Sequence, residues 1–251
     1  DWTAERAIVL GILGRGDEGL ALLERAAATA DHAALHRARA LLFLTSDRGS
    51  EGLAEVERAL ALDPQNPAPL RLAGDYLSNR GEFVAAAAAY DRYLAQRPRD
   101  AEVVFRLGVA RGSAGDAVGA IAAYRRAVEL EPNTVAARNN LALVLDETRQ
   151  APEALAVAQA AFALADSNPV IMDTLGWLYL RAGRKDRAVA LLEKSLHVAP
   201  QADSTRYHLA MAYRETGRVE EARKLLLDLD QRLGQSHALR GDVAGALASL
   251  P

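Results

Sequence analysis

The chain has 251 residues, half of them apolar and a quarter charged, enough for a buried core and, at about 150 residues per domain, for one or two domains. A net charge of −3 lacks the basic excess of a nucleic-acid binder, and the absence of cysteine excludes a disulfide framework, a thiolate zinc site and a thiol nucleophile. Alanine, leucine and arginine dominate while aromatic residues make up only 5%, which predicts an all-α fold because unbranched side chains lose little rotamer freedom in a helix.

The opening DWTAERAIVL carries neither an initiating methionine nor a basic-then-apolar leader, so the chain reads as a processed or trimmed piece, with any export signal or anchor upstream. No run approaches the about 18 apolar residues of a membrane span. Residues 1–32 read as a loose helix pair whose second helix is GRGDEGLALLERA. Within it GRGDEG, at 14–19, is a turn and not a phosphate loop, since no strand precedes it.

From residue 33 onward the chain matches itself at a shift of 34. Alanine recurs at Ala86, Ala120, Ala154, Ala188 and Ala222, and glycine five places earlier at Gly81, Gly115, Gly183 and Gly217. Proline recurs at Pro64, Pro98, Pro132 and Pro200, with Asp166 in the missing place. Small residues form a fourth row at Ala40, Gly74, Gly108, Ala142, Gly176 and Ala210. Each row has a mechanical reason. Val104, Leu107 and Val109, then Ile121, Tyr124, Ala127 and Val128, mark two amphipathic helices per repeat. Gly115 supplies the left-handed residue at which the first helix ends, Gly108 and Ala120 let the two helices approach, and Pro132 stops the second.

The repeats run 33–66, 67–100, 101–134, 135–168, 169–202 and 203–236. Asp47 and Arg149 replace the turn glycine, and Gly52 replaces the packing alanine. In the tail 237–251, Leu239, Val243 and Leu247 lie four apart and predict a helix that caps the stack, weakened by Gly241 and Gly245.

This pattern resembles the tetratricopeptide repeat over nearly the whole chain. The resemblance implies a single right-handed superhelical solenoid of antiparallel helix pairs over 1–251, about seven repeats long, with a concave groove that binds a segment of a partner protein. It also implies that the second, fifth, ninth and twelfth places of each first helix face that groove. The ninth place holds Leu41, Asp75, Val109, Leu143, Trp177 and Met211, and the fifth holds Arg37, Arg71, Phe105, Asn139, Asp173 and Tyr207. An apolar stretch of groove is therefore expected from Phe105 to Met211, with Arg181 and Arg214 beside it. Asn139, Asn140, Asp146 and Asp173 would hydrogen-bond a bound main chain. At Val109 and Leu143 an apolar side chain equally fits a crevice between adjacent first helices, but Trp177 is larger than that crevice needs, and Trp and Tyr are enriched at binding hot spots.

The lysine and asparagine clamp of chaperone-binding family members is missing, since no three consecutive repeats carry its donors. His32 and His36 lie four apart, yet without the glutamate of HExxH or a third ligand they read as partly exposed helix surface. With no catalytic fingerprint present, neither an enzyme nor a cofactor or metal is expected. The words DTLGW, at 173–177, and YHLA, at 207–210, resemble the tetratricopeptide protein of the bacterial PEP-CTERM/exosortase exopolysaccharide system. That resemblance implies a scaffold on the periplasmic side of the envelope. A polysaccharide-binding array, the repeat region of a larger enzyme or export protein, and a cytoplasmic location stand as alternatives.

Overall fold

The computed structural model describes residues 2–46 and 48–250, and among these it holds fifteen α-helices and no strand. They are α1 (Trp2–Ile12), α2 (Gly16–Ala27), α3 (Ala33–Thr45), α4 (Gly49–Leu62), α5 (Ala68–Asn79), α6 (Phe83–Gln96), α7 (Ala101–Ser113) and α8 (Ala117–Leu130). Then come α9 (Val135–Glu147), α10 (Ala151–Leu164), α11 (Pro169–Arg181), α12 (Lys185–Val198), α13 (Asp203–Glu215), α14 (Val219–Arg232) and α15 (Arg240–Ala248). Each odd-numbered helix up to α13 packs on the even-numbered helix that follows, two helices to every predicted repeat. The chain divides into two compact units, Asp1–Leu130 and Glu131–Pro251. Among the described residues no helix is long and apolar enough to cross a membrane.

The helix ends follow from local chemistry. The Asp100 side chain accepts from the Val103 N–H at 3.1 Å and starts α7. At α11 the Asn168 side chain accepts from the Val170 N–H at 2.9 Å while Pro169 fills the first turn, where its missing donor is harmless. Gly115 adopts φ 84°, and the Asp116 N–H reaches back to the Arg111 carbonyl at 2.9 Å, so the last carbonyls of α7 are satisfied.

The small-residue row is where paired helices touch. A Cβ on Gly74 would stand 2.5 Å from Tyr90 Cε1, on Gly108 2.6 Å from Tyr124 Cε1, and on Gly176 2.7 Å from Leu192 Cγ. The facing alanines Ala86, Ala120, Ala154, Ala188 and Ala222 are all fully buried.

Of the two turns that lack glycine, Asp47 lies outside the described residues, and Arg149 takes the left-handed conformation at φ 62°. Backbone sterics disfavour that region for a side chain with a Cβ. Arg149→Gly is expected to stabilise the C-terminal unit by about 1 kcal/mol. A urea midpoint that does not rise, measured by circular dichroism, would contradict a strained turn.

Candidate functional site

In the C-terminal unit, α11 carries Asp173, Trp177 and Arg181 at intervals of four, one above another on a single helical face. From α13, Tyr207, Met211 and Arg214 complete an open pocket of about 510 Å³, closed on its far side by Gly241, Gly245 and Ala246 of α15. The 34-residue shift explains this wall. Tyr207 maps to Gly241 and Met211 to Gly245, so α15 stands as the first helix of one more repeat with its groove-facing side chains removed. A Cβ on either glycine would meet nothing within 4 Å.

Trp177 is partly buried and packs with Leu180 and Tyr207 against a core cluster containing Met211, Leu226, Leu229 and Val243. One face of its indole is covered by the His208 ring, with centroids 4.4 Å apart and planes at 23°. The Nδ1–H of His208 donates in turn to Asp173 Oδ1 at 2.8 Å. Burial, with Asp242 nearby, pushes the Tyr207 phenol above its ordinary range, so it faces the pocket as a neutral hydroxyl.

Several expected groove residues stand differently. Asp173 and Asp146 are 9% and 5% exposed and are taken up by His208 and by Arg181, so neither is open to a bound main chain. Asn139 is 6% exposed, with an Oδ1 that has no hydrogen-bond partner. Met211 is buried under α15 as the pocket floor rather than lying on an exposed patch. Asn140 is half-buried, while Leu143, at 36% exposure, stands open on α9.

The N-terminal unit has a separate pocket of about 340 Å³ in which Phe105 and Val109 meet Asp75, Tyr90, Glu102 and Arg106. Phe105 packs at a tilt on Tyr124, with centroids 5.9 Å apart. Arg71 bridges Glu102 at 3.0 Å, and Arg106 reaches Glu102 at 2.6 Å and Asp75 at 3.0 Å. Tyr90 donates to Asp75 at 2.7 Å, and burial together with that bond pushes its phenol well above the usual range. Arg71, Asp75, Phe105 and Val109 are thus brought together. Glu102, at a second place of the repeat, is legible in the sequence as a groove residue, whereas Arg106, at a sixth place, carries no such signal.

The hydrogen bond from Arg106 holds the Glu102 carboxylate below its ordinary range, outweighing desolvation in the other direction. A depressed carboxylate stabilises the fold above its unfolded value, and that stabilisation is lost as pH falls through the folded one. Glu102 is half exposed, so Glu102→Gln should cost no more than a few tenths of a kcal/mol at neutral pH. Urea titrations of both proteins should converge at acid pH; a gap that persists there would show that the charge is not responsible.

His36 corrects another expectation, for it is only 5% exposed and not helix surface. Its Nε2 lies 2.8 Å from Asp31 and its Nδ1 contacts Glu55, itself 2% exposed and reached by Arg58 at 2.6 Å. The pair is thus divided, with the buried His36 ring held between the exposed Asp31 and the buried Glu55. Among the described residues no group of three or more histidines and acids is placed to hold a metal.

Two family models described as Tetratricopeptide repeat match the chain, one over residues 71–133 and 111–169, the other over 179–248. No curated protein matches the sequence. Among solved structures, a tetratricopeptide repeat protein from Parabacteroides merdae aligns over 99% of this chain and 100% of its own, with TM-score 0.70 and 16% identity. YrrB, described as a TPR protein with an unusual peptide-binding site, aligns over 73% of this chain and 95% of its own, with TM-score 0.63 and 20% identity. TTC0263 of Thermus thermophilus aligns over 73% and 100%, with TM-score 0.61 and 22% identity. At these identities the likeness is one of fold.

Proposed function

Because the chain belongs to the tetratricopeptide-repeat family, we propose that it is a non-enzymatic scaffold whose pocket between α11, α13 and α15 takes an apolar side chain from a segment of a partner protein. The observation that carries this reading is an open space of about 510 Å³ beside Trp177, Tyr207 and Met211, kept open by two glycines. Glycine within a helix costs about 1 kcal/mol relative to alanine. Two of them on the face that meets the pocket leave bare backbone where a ligand can approach closely. A large aromatic wall, an apolar floor and an arginine rim at Arg181 and Arg214 are the composition of a binding hot spot. The peptide-binding site described for YrrB supports the reading as a likeness of fold only.

The partner is placed in exopolysaccharide or secretion machinery on the periplasmic side of a bacterial envelope. This placement is supported by the resemblance of DTLGW and YHLA, and recovery of the protein in the cytosolic fraction of its source cells would overturn it.

Trp177→Ala alone mixes lost binding with lost packing, since the indole also supports the core cluster. Gly245→Leu separates them, because a Cβ there meets nothing within 4 Å, so the side chain grows into the open pocket, and leucine raises helix propensity. Peptides selected from a random display library should shift the fluorescence of Trp177 in a Trp2→Phe background. They should lose at least tenfold in affinity with Gly245→Leu while the melting temperature holds or rises. Undiminished binding by that variant would exclude this pocket as the site.

A further inference from the structure

Four second helices begin with arginine at the N-cap: Arg15 before α2, Arg48 before α4, Arg184 before α12 and Arg218 before α14. At three of them a glutamate three residues on closes the side of the guanidinium. Arg15 Nε donates to Glu18 at 2.7 Å, Arg48 Nε to Glu51 at 2.7 Å, and Arg218 Nε to Glu221 at 2.9 Å. Two of these arginines also lie over an aromatic ring, Arg48 at 4.3 Å from Phe43 and Arg218 at 3.9 Å from Tyr213. The arrangement is a repeated sandwich of ring, guanidinium and carboxylate.

At the fourth turn the carboxylate is replaced by its opposite. The residue three places after Arg184 is Arg187, and both guanidiniums lie near the Tyr179 ring, at 5.7 and 6.0 Å. Among the described residues no carboxylate pairs with either arginine. Lys185 between them is engaged by Glu215, whose carbonyl it reaches at 2.8 Å and whose carboxylate at 3.2 Å. Asp186 offsets one of the two free arginines, so the turn keeps one surplus positive charge and two open guanidinium edges. They face a cleft of about 800 Å³ lined by Gly183, Arg184, Lys185, Asp186, Arg187 and Thr216.

We propose that this turn is a second docking surface, where carboxylates of an acidic segment in a partner protein occupy the place that Glu18, Glu51 and Glu221 hold at the other turns. The internal pairs supply the recognition geometry, a carboxylate taken side-on by a guanidinium that an aromatic ring holds in place. Arg184 and Arg187 are one helical turn apart, a spacing of about 5–6 Å between Cβ atoms. An extended chain presents alternate side chains on one face at about 6.7 Å. The matching partner is therefore an extended segment with acidic residues at every second position, and the cleft has room for several of them.

The test uses the whole chain and a fluorescein-labelled, end-blocked peptide in which glutamate alternates with serine, followed by fluorescence anisotropy at low ionic strength. Saturable binding is expected, weakened at least tenfold by joint Arg184→Gln and Arg187→Gln substitution. Arg187→Glu is the sharper variant. It rebuilds the sandwich of the other turns, so it should abolish peptide binding while circular dichroism shows an intact fold. Gly245→Leu, which closes the groove pocket and leaves the packing of Trp177 in place, should leave this binding unchanged, which keeps the proposal separate from the groove reading. Joint Arg97→Gln and Arg99→Gln removes the same charge from the N-terminal unit and should also leave it unchanged. The proposal is overturned if Arg187→Glu binds as well as the unmodified chain or if a glutamine-serine peptide binds equally. It is also overturned if an alginate oligomer, a carboxylate source that is not protein, binds more tightly than the peptide, or if millimolar peptide gives no saturation.

Discussion

Close approach of the two helices within each repeat is the constraint on which the rest depends. Gly74, Gly108 and Gly176 sit against Tyr90, Tyr124 and Leu192 so closely that a Cβ would overlap a ring or branch atom. The facing alanines are fully buried. Such a contact fixes more than a distance, for it also fixes the rotation of each first helix about its own axis. Once the eighth place faces the partner helix, the fifth and ninth places cannot, since they lie on another side of the helix. Trp177 is thus displaced from the intra-repeat contact by its neighbour Gly176, and it packs towards α13 and the pocket instead.

The same geometry accounts for what could be read from the sequence and what could not. The helix pairs, their glycine turns and their contact rows were legible because each is decided within one repeat, by backbone conformation or by volume. Gly115 at φ 84° and Arg149 at φ 62° both fall where the glycine row predicts a left-handed residue. The fate of polar groove residues was not legible, because it is decided between repeats. Asp146 meets Arg181, and Asp173 meets His208, each 35 residues on. Arg71 meets Glu102 and Asp75 meets Arg106, each 31 residues on, one helical turn short of that step. These offsets are the lateral counterpart of the four-residue step along one helix. Searching the sequence for opposite charges at 31 and 35 would have found the pairs.

Pairing across repeats has a consequence for binding. Once Asp146 and Asp173 are engaged by neighbours at 5% and 9% exposure, freeing either for a ligand would leave a buried charge without its partner. The polar residues on this face therefore serve the scaffold, and what remains available near them is apolar: the open side of Trp177, Tyr207 and the floor at Met211.

A repeat protein carries its own baseline, since each place has several counterparts in the same chain. Departures that local rules do not require mark the positions at which something other than folding sets the residue. Most departures here have a structural answer, as when Asp100 and Asn168 accept first-turn N–H groups of α7 and α11, which Thr134 and Ala202 do not do at the same place. Gly241 and Gly245 do not, because alanine's Cβ would meet nothing within 4 Å at either place and would strengthen α15. Nor does Arg187, since glutamate at its place pairs with the arginine of three other turns. In both cases the fold forgoes a stabilising residue that it uses elsewhere, and in both the result is an open surface of defined chemistry, apolar at α15 and cationic before α12.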